Sequence, residues 1–391
     1  MRAAGIIAEY NPFHNGHERH IRETRRRTGC DLIVVAMNGS VSQRGEMMLL
    51  DKWTRAEMAL RGGADIVVEL PVLWGARPAE NFAFGGVFLL HNIGCEWLSF
   101  GCETDEVDTL ERIAKFLEDE SEEYATALKE ELAKGKSFVR ARGEALARCT
   151  GADEAVLQGP NAALGIEYIR AIRRIGSAMR PVVVRRGASH HADELMQETS
   201  ASAIRRAVHE GRLQEAAVAM PEYAHRLLLQ NAGCVPEPAL TDIALLSALR
   251  GMSQEELAAL PDVGEGLENL LYKACRTAGT REELLDALKS KRYTHARLSR
   301  ILAHAMLKTD RSLLEGYPAP RYIRLLGARK HALSALQSKS ALPLVSRGKA
   351  LEDDRCFQAE RRATDLRALL SKDTKNRAAD SDLTHRLVVV E

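Results

Sequence analysis

Short apolar runs separated by helix-patterned segments are the feature that most constrains the fold of this chain. Residues 31–37 (DLIVVAM) and 64–70 (ADIVVEL) are nearly continuous in apolar, β-branched residues, and small β-prone residues fill 3–8. Strands with this pattern are typically covered on both faces of a sheet. Residues 16–27 and 51–61 have helical character between these runs. The alternation predicts a parallel sheet with right-handed crossovers, as in α/β proteins.

The alternating pattern continues to about residue 212 and then becomes helical. We predict a helix at 79–93, a strand at 96–100, helices within 105–148, a helix at 161–175, a strand at 181–184 and a helix at 202–208. Helical periodicity then recurs at 241–249, 253–260, 267–278, 281–288 and 296–306. A length of 391 residues favours two domains.

We therefore predict an α/β domain with a Rossmann-like parallel sheet over residues 1–212 and a mostly α-helical domain over residues 213–391. The last stretch of the chain, from about Lys372 onward, is polar. It is expected to fray and to add little to function.

Charge, cysteine content and hydropathy exclude several classes of protein. The formal net charge is only +1, so any contact with RNA has to be local rather than driven by a global field. Seven scattered cysteines without CxxC spacing argue against a disulfide framework or a zinc knuckle and favour a reducing cytoplasm. No stretch of about 18 apolar residues suggests a membrane span, and no secretion signal is evident.

The turn after the first strand carries the strongest functional signal, in the run Asn11-Pro12-Phe13-His14-Asn15-Gly16-His17. A loop between a parallel strand and the next helix offers backbone N–H groups at the positive end of the helix dipole, where phosphate binds. The three-residue spacing puts His14 and His17 on one side of the first helical turn, and Gly16 allows close approach. Two imidazoles could stabilise a five-coordinate α-phosphate, which indicates nucleotidyl transfer.

Other interpretations of this turn remain open. An isolated HxGH is short enough to occur by chance, and paired histidines can be solvated or can bind a metal. His20 lies on the same face as a third ligand for zinc, although the Asn-Pro and Gly context suits phosphate better. The identity of any metal ligands is unknown from the sequence.

A second constellation lies at residues 199–206 (TSASAIRR), where hydroxyl residues at a helix start precede two arginines. The pattern suits polyphosphate oxygens, but alone it is equally an N-cap followed by a basic helix. Together with HxGH it resembles the HIGH-type nucleotidyltransferase superfamily, whose second motif is a Ser and Thr-rich turn ending in Arg or Lys.

More specific motifs resemble the bacterial tRNA(Met) cytidine acetate ligases of that superfamily. They are Gly5 to His17 (GIIAEYNPFHNGH), Gln43-Arg44-Gly45-Glu46, Gly63 to Pro71 (GADIVVELP), Ser99-Phe100-Gly101-Cys102-Glu103, Gly159-Pro160-Asn161 and Arg186-Gly187-Ala188. The resemblance covers the whole first domain. It continues more weakly through residues 291–294 and 322–327.

The resemblance implies a two-step reaction and a set of ATP contacts. ATP and acetate would form acetyl-adenylate with release of pyrophosphate, and the acetyl group would pass to the wobble cytidine of elongator tRNA(Met) without acetyl-coenzyme A. Mg²⁺ is expected to accompany ATP. His14 and His17 would be catalytic, and the implied ATP contacts are Ile7, Ala8, Glu9, Tyr10, Asn11, Pro12, Phe13, His14, Asn15, Gly16, His17, His20, Gly101, Asn161 and Arg186, with Arg185 as a substitute for Arg186.

Two departures from the family pattern affect this transfer. The family's Ser-Gly-Asn-Phe-like turn is replaced here by residues 38–42 (NGSVS), so the acetate-binding details are not defined. The Ser and Thr turn contains Ala201 and Ala203, which leaves phosphate contacts to Ser200, Ser202 and Arg205.

Several charged residues have both a functional and a structural interpretation. Gln43 and Arg44 follow the second strand, at the edge where α/β sheets bind ligands, and could grip acetate or pyrophosphate; a lone loop arginine is more often a solvated charge. Asp51 is expected to cap a helix, and Lys52 to lie on that helix surface. Asp65 or Glu69 could hold magnesium or act only as a capping group.

The helical domain offers a local basic face for tRNA. Its candidate contacts are Lys291, Arg292, Arg297 and Arg300, within a cluster that also includes Lys289 and is followed by Arg321, Arg324, Arg329 and Lys330. A solvated helix face is an equally good interpretation.

Two other functions compete with an acetate ligase. A small-molecule adenylyltransferase of cofactor biosynthesis would share HxGH but would not need the large helical domain. A non-enzymatic RNA-binding protein could retain nucleotide-site residues for folding, although both histidines with Asn161 and Arg186 argue against it. The oligomeric state does not follow from the sequence.

Overall fold

The described residues form one eight-stranded sheet flanked by helices. The structure, a computed structural model, describes residues 2–118, 122–136, 138–153, 157, 159–185, 200–290, 292–333 and 340–391. Arg186 and Lys291, both predicted contacts, lie outside these residues. The strands are β1 Ala3–Ala8, β2 Leu32–Asn38, β3 Ile66–Leu70, β4 Trp97–Cys102, β5 Arg180–Arg185, β6 Ile323–Arg329, β7 Leu344–Val345 and β8 Val388–Val390.

The strand order is β5-β4-β1-β2-β3-β6-β7, with β8 paired to β6. Strands β1 to β5 are mutually parallel, which confirms the predicted Rossmann-like α/β sheet. From β1 the chain proceeds outward to β2 and β3, and then returns to the other side of β1 as β4 and β5. The carboxyl ends of β1 and β4 therefore flank the point where the strand order reverses, which is the usual ligand crevice of such sheets.

Every helix predicted above is present. The described α-helices are α1 Asn15–Thr28, α2 Lys52–Arg61, α3 Val72–Gly75, α4 Ala79–Ile93, α5 Val107–Glu118, α6 Glu122–Ala133, α7 Phe138–Thr150, α8 Pro160–Ile175, α9 Ala201–His209, α10 Glu222–Gln230, α11 Pro238–Arg250, α12 Gln254–Ala259, α13 Leu267–Thr277, α14 Arg281–Leu288, α15 His295–Leu307, α16 Arg311–Glu315, α17 Arg355–Leu369 and α18 Ser381–Thr384. Five of these described helices, α3, α10, α16, α17 and α18, were not predicted. Short 3₁₀ segments lie at Leu213–Ala219, Ala232–Cys234, Lys330–Ala332, Gly348–Leu351 and Thr374–Asn376. Across the described ranges, no helix has the length and apolarity to cross a bilayer.

Apolar side chains cover both faces of the sheet, as the continuous runs predicted. In β2, Val34 and Ala36 join the core beneath α4 and α8, whereas Ile33 and Val35 join the core beneath α1 and α2. A third cluster is built mainly from helices α11 to α15. Because alternate residues of one strand enter opposite cores, neither face of β2 is left to water.

The predictions for Lys52 and for the C-terminal stretch were wrong. Asp51 does cap α2, since its carboxylate accepts from the backbone N–H of Thr54 at 2.8 Å. Lys52, however, is fully buried rather than on the helix surface. Far from fraying, the last residues place Asp382 beside Lys52 and pair β8 with β6.

The residues after 212 also extend the sheet of the first unit. Strand β6 pairs antiparallel with β3, and β8 pairs parallel with β6. The division at residue 212 stays a prediction. The later part of the chain is mostly helical but contributes the β6, β7 and β8 strands.

A buried charge cluster joins α2, β3, β6 and the C-terminal helices. Lys52 Nζ lies 2.5 Å from Glu69 Oε1, 2.7 Å from Asp382 Oδ1 and 3.6 Å from Glu360 Oε1. Arg324 adds a second cation 3.8 Å from Asp382. Burial and the neighbouring Glu360 raise the pKa of Glu69 well above its usual range. Burial opposes the ionisation of Asp382, but the charge of Lys52 lowers its pKa.

Candidate active site

The two histidines of the N-terminal turn cap helix α1 reciprocally. His14 is the N-cap residue; its Nδ1 accepts from the backbone N–H of Gly16 at 3.0 Å, and its own N–H donates to Nδ1 of His17 at 3.3 Å. The two rings stack with centroids 3.7 Å apart, so they share one side of the helix start, as predicted. Because each Nδ1 accepts a hydrogen bond, each neutral ring carries its proton on Nε2. Both histidines can therefore donate from Nε2 without being cationic.

Aromatic packing holds this turn rigidly. Tyr10 and Phe13 are buried, with ring centroids 5.0 Å apart, and the Tyr10 ring lies 4.8 Å from that of His17. Asn11 precedes a cis Pro12, and its side-chain oxygen accepts from the backbone N–H of Leu49 at 2.8 Å. The turn thus rests on the core beneath it rather than on solvent.

His20 faces the sheet. Its Nε2 lies 3.0 Å from Ser99 Oγ in β4, and the same hydroxyl lies 2.7 Å from Thr24 Oγ1. The zinc alternative would need a third ligand beside His14 and His17. Within the described ranges, no group of three or more His, Cys, Asp or Glu side chains is arranged to hold a metal ion.

The end of β4 and the start of α8 lie across the crevice from α1. Gly101 is in β4, one residue before its end. Asn161 Nδ2 donates to Glu103 Oε1 at 2.7 Å, and the backbone N–H of Ala162 donates to Glu103 Oε2 at 2.9 Å. Burial opposes the ionisation of Glu103, but the Asn161 hydrogen bond lowers its pKa. Asn161, a predicted ATP contact, is therefore tied to Glu103 here.

The serine turn at the start of α9 reaches the N-terminal turn. Ser200 and Ser202 face each other with their hydroxyls 2.7 Å apart. Arg205 donates to the carbonyl of Asn11 at 2.9 Å, which joins the two sequence constellations directly. Arg185, at the end of β5, is exposed, and its carbonyl accepts from Arg19 at 3.3 Å.

The loop after β2 also borders the site. The Gln43 backbone N–H donates to Glu9 Oε1 at 2.7 Å, and its side-chain amide donates to the carbonyl of Arg77 at 2.7 Å. Arg44 is exposed at the tip of this loop. Gln43 therefore acts as a structural link in this structure, while Arg44 is available for an anion.

Sequence reasoning missed Arg55. This fully buried side chain donates to the main-chain carbonyls of Glu9, Asn38 and Gly39, and so ties the ends of β1 and β2 together. Burial lowers the pKa of Arg55 to about 10, so it remains charged at neutral pH. In sequence it is one polar residue on an ordinary helix, and no local signal distinguishes it.

Fewer of the basic residues predicted to contact tRNA are exposed than the sequence suggested. Arg300 is buried and pairs with Asp262 at 3.3 Å. Arg297 packs over the ring of Tyr293 and donates to the Asp262 carbonyl at 3.0 Å. Arg292 is exposed. Of the later basic residues, Arg324 is buried in the charge cluster, whereas Arg321 and Lys330 are exposed.

Asp65, just before β3, and Glu69, within β3, are the two candidate magnesium ligands, and both are already paired with other residues. Asp65 pairs with Arg25 at 2.6 Å and accepts from the backbone N–H of Ile33 at 2.7 Å. Glu69 pairs with Lys52. Cys95 and Cys102, beside and at the end of β4, are both buried, and burial raises the pKa of the Cys102 thiol to about 11.

Comparison with known proteins gives consistent results over nearly the full length. The sequence model of the family described as "HIGH Nucleotidyl Transferase" matches residues 1–382. A tRNA(Met) cytidine acetate ligase from Caldanaerobacter subterraneus subsp. tengcongensis is 38% identical over 386 residues, covering 95% of this chain and 96% of that protein. The enzyme of the same name from Acetivibrio thermocellus is 35% identical over 418 residues, covering 100% of both chains.

Two crystal structures of Thermotoga maritima TmcAL share the fold. The apo form superposes with a TM-score of 0.91 at 32% identity, and a form bound with alpha-thio ATP with a TM-score of 0.89 at 30% identity. Each comparison covers 100% of this chain and 100% of the other.

Proposed function

The chain belongs to the HIGH nucleotidyl transferase family, and from this membership we propose that it is an ATP-dependent tRNA(Met) cytidine acetate ligase. The observation that carries the proposal is the stacked His14 and His17 pair at the start of α1, at the crevice where the strand order reverses. Full-length similarity to enzymes named as such ligases supplies the substrate class.

ATP occupies the crevice between the ends of β1 and β4. Its phosphates lie at the start of α1, where backbone N–H groups and the helix dipole favour anions. The adenosine lies toward Gly101 and Asn161, and Ser200, Ser202 and Arg205 approach the phosphates from α9. The TmcAL structure with an ATP analogue supports a nucleotide site in this fold.

The first step joins acetate to the α-phosphate. One acetate oxygen attacks phosphorus, the bond to the bridging oxygen of pyrophosphate breaks, and acetyl-adenylate remains. Negative charge grows on the α-phosphate oxygens as phosphorus becomes five-coordinate. The Nε2–H donors of His14 and His17 are fixed by their Nδ1 hydrogen bonds and stabilise that charge without reorganising.

The second step transfers the acetyl group to the wobble cytidine of elongator tRNA(Met), giving N4-acetylcytidine. We assign ATP chemistry to residues 1–212 and tRNA contact to residues 213–391, with Arg292 and Arg321 among the exposed cations. Arg44 is placed to meet acetate or pyrophosphate. Mg²⁺ would accompany the ATP phosphates, and these substrates place the reaction in the cytoplasm.

A labelled-substrate assay tests the proposal. The protein is incubated with ATP, carbon-labelled acetate and bulk tRNA, and AMP, pyrophosphate and tRNA-bound label are measured together. We expect label in tRNA to require ATP, and digestion to nucleosides to release it as N4-acetylcytidine. A tRNA(Met) transcript with uridine at the wobble position is the matched negative control. ATP consumption that neither acetate nor tRNA changes would refute the proposed function.

The histidine pair is tested by His14→Ala and His17→Ala. Each variant is expected to lose acetate-dependent exchange of pyrophosphate into ATP by at least about a hundredfold, because a fixed charge-stabilising donor is removed. Binding of tRNA, measured by filter retention, should stay within about twofold of wild type because the proposed contacts lie elsewhere. Loss of both activities together would indicate a folding role instead.

A further inference from the structure

Glu9 is one of the implied ATP contacts, but the adenylation step proposed above gives its carboxylate no role. It directly follows β1 and stands two residues before Asn11 in the turn that seats the phosphates. A carboxylate repels polyphosphate, so its presence needs another explanation. Its chemistry suits a hydrogen-bond donor, and the second substrate of the proposed reaction brings one in the cytosine amino group.

The contacts of Glu9 hold the residue but leave half of the carboxylate available. Oε1 accepts from the Gln43 backbone N–H at 2.7 Å, and the Glu9 carbonyl accepts from Arg55 at 2.7 Å. No hydrogen bond or ion pair to Oε2 occurs within the part of the chain that the structure describes. The side chain is thus anchored at one oxygen, and the other can receive a ligand.

The surroundings of Glu9 shift its pKa upward. Burial raises its pKa, while the Gln43 hydrogen bond and Arg205 act in the opposite direction. Glu46 and Arg44 from the neighbouring loop and Tyr168 from α8 also face it. A carboxylate whose pKa is shifted toward the working pH is a better general base than a fully solvated one.

The anchoring loop places Glu9 at the junction with the helical unit. Gly45, two residues after Gln43, lies against α15; a Cβ there would come within 2.5 Å of the Ser299 carbonyl oxygen. The loop that holds Glu9 therefore rests on the unit to which tRNA contact is assigned. A base entering between the two units would approach Glu9 from that side.

We infer that Glu9 accepts a hydrogen bond from the exocyclic amine of the target cytosine and takes its proton during acetyl transfer. A carboxylate is a natural partner for the cytosine N4 amino group. The amine nitrogen forms a bond to the acetyl carbon, the bond from that carbon to the adenylate oxygen breaks, and AMP leaves with its electron pair. The proton of the amine moves to Glu9 Oε2. This inference rests on the proposed function.

The Glu9→Gln variant separates the two half-reactions. Glutamine keeps an oxygen for the Gln43 N–H but cannot accept a proton. Because Glu9 is one of the implied ATP contacts, acetate-dependent exchange of pyrophosphate into ATP is expected to fall, but by much less than acetyl transfer does. Transfer from chemically prepared acetyl-adenylate to tRNA(Met) should fall by about 10² to 10⁴-fold, the usual contribution of a general base. The transfer rate of the wild-type protein is expected to rise with pH, and this rise should be lost in the variant.

Controls keep each outcome informative. Glu57→Gln, on the α2 surface, removes a carboxylate from an i,i+4 pair with Arg61 and should leave both half-reactions unchanged. Melting temperature and the KM for tRNA establish that Glu9→Gln is folded and binds substrate. Equal loss of exchange and transfer, or full retention of transfer, would overturn the assignment. Absence of exchange in the wild-type protein would instead refute the proposed function on which the assignment rests.

Discussion

Replacing Lys52 with Met tests the buried charge cluster. The substitution keeps most of the side-chain volume but removes the cation that lies within 4 Å of Glu69, Glu360 and Asp382. Arg324, 3.8 Å from Asp382, would then be the one cation within 4 Å of these three buried carboxylates among the residues that the structure describes. Removing one partner of a buried ion pair costs about 3 to 5 kcal/mol, a large share of the roughly 5 to 15 kcal/mol that stabilises a folded domain.

The three carboxylates are not equivalent, and this sharpens the prediction. Three acids against two cations leave one excess negative charge, and burial together with Glu360 raises the pKa of Glu69. Because burial and the neighbouring Glu360 disfavour the charged form of Glu69, replacing it with the neutral Gln should cost less than about 1 kcal/mol. Asp382 is ionised, because the charge of Lys52 lowers its pKa and outweighs the effect of burial. Asp382→Asn should cost about 3 kcal/mol because it leaves Lys52 under-neutralised.

Urea unfolding at pH 7, followed by fluorescence, measures these differences. The shift of the midpoint at constant m gives each change in the free energy of unfolding. The expected order of destabilisation is Lys52→Met, then Asp382→Asn, then Glu69→Gln, which should lie near wild type. Equal losses for Glu69→Gln and Asp382→Asn would refute this difference between the two carboxylates. A Lys52→Met protein as stable as wild type would refute the role of the cluster.

Three further predictions concern other sites. Burial lowers the pKa of His304 to about 4, against about 6.5 when unfolded, so its contribution to stability is full above pH 6.5 and falls by about 3 kcal/mol as pH drops to 4. In His304→Gln, the free energy of unfolding should depend less on pH over that window. An unchanged pH dependence would contradict the role of His304. Arg55→Met should lower the melting temperature and lose adenylate formation, because four carbonyls, those of Glu9, Asn38, Gly39 and Leu50, lose their buried donor. Wild-type activity in this variant would count against the prediction. Since burial raises the Cys102 pKa to about 11, mass spectrometry should find it unmodified by iodoacetamide at pH 7, and rapid alkylation of the native protein would disprove its burial.

The sheet was predictable because the apolar residues of each strand already indicate that the strand is buried on both faces. All residues of β2 and β3 are buried, and all of them except Asn38 and Glu69 are apolar, so local pattern and burial agree at the remaining positions. Strand β6 was missed because it includes Arg324, whose burial depends on Asp382 in another part of the chain. Local periodicity cannot show a partner supplied by distant residues.

The candidate site likewise contains some residues whose placement was predictable from the sequence and others whose placement was not. The spacing of His14 and His17 predicted their shared face, and the structure stacks the two rings. Lys52 and Arg55 read as ordinary helix polar residues, and only tertiary contacts reveal that both are fully buried. Glu9 was included among ATP contacts by its position in the motif, whereas its link to Gln43 depends on how two loops meet.

The contact between Lys52 and Asp382 spans 330 positions of sequence. During translation, the segment that forms β1 to β5 leaves the ribosome long before Asp382 is polymerised, and domains tend to fold as they emerge. Until then the interior around Lys52 lacks one of its counter-ions, and β6 lacks its neighbour β8. A nascent chain halted before residue 382 is therefore expected to remain incompletely folded and to be degraded by quality-control proteases, even though every residue of the nucleotide crevice has already been synthesised.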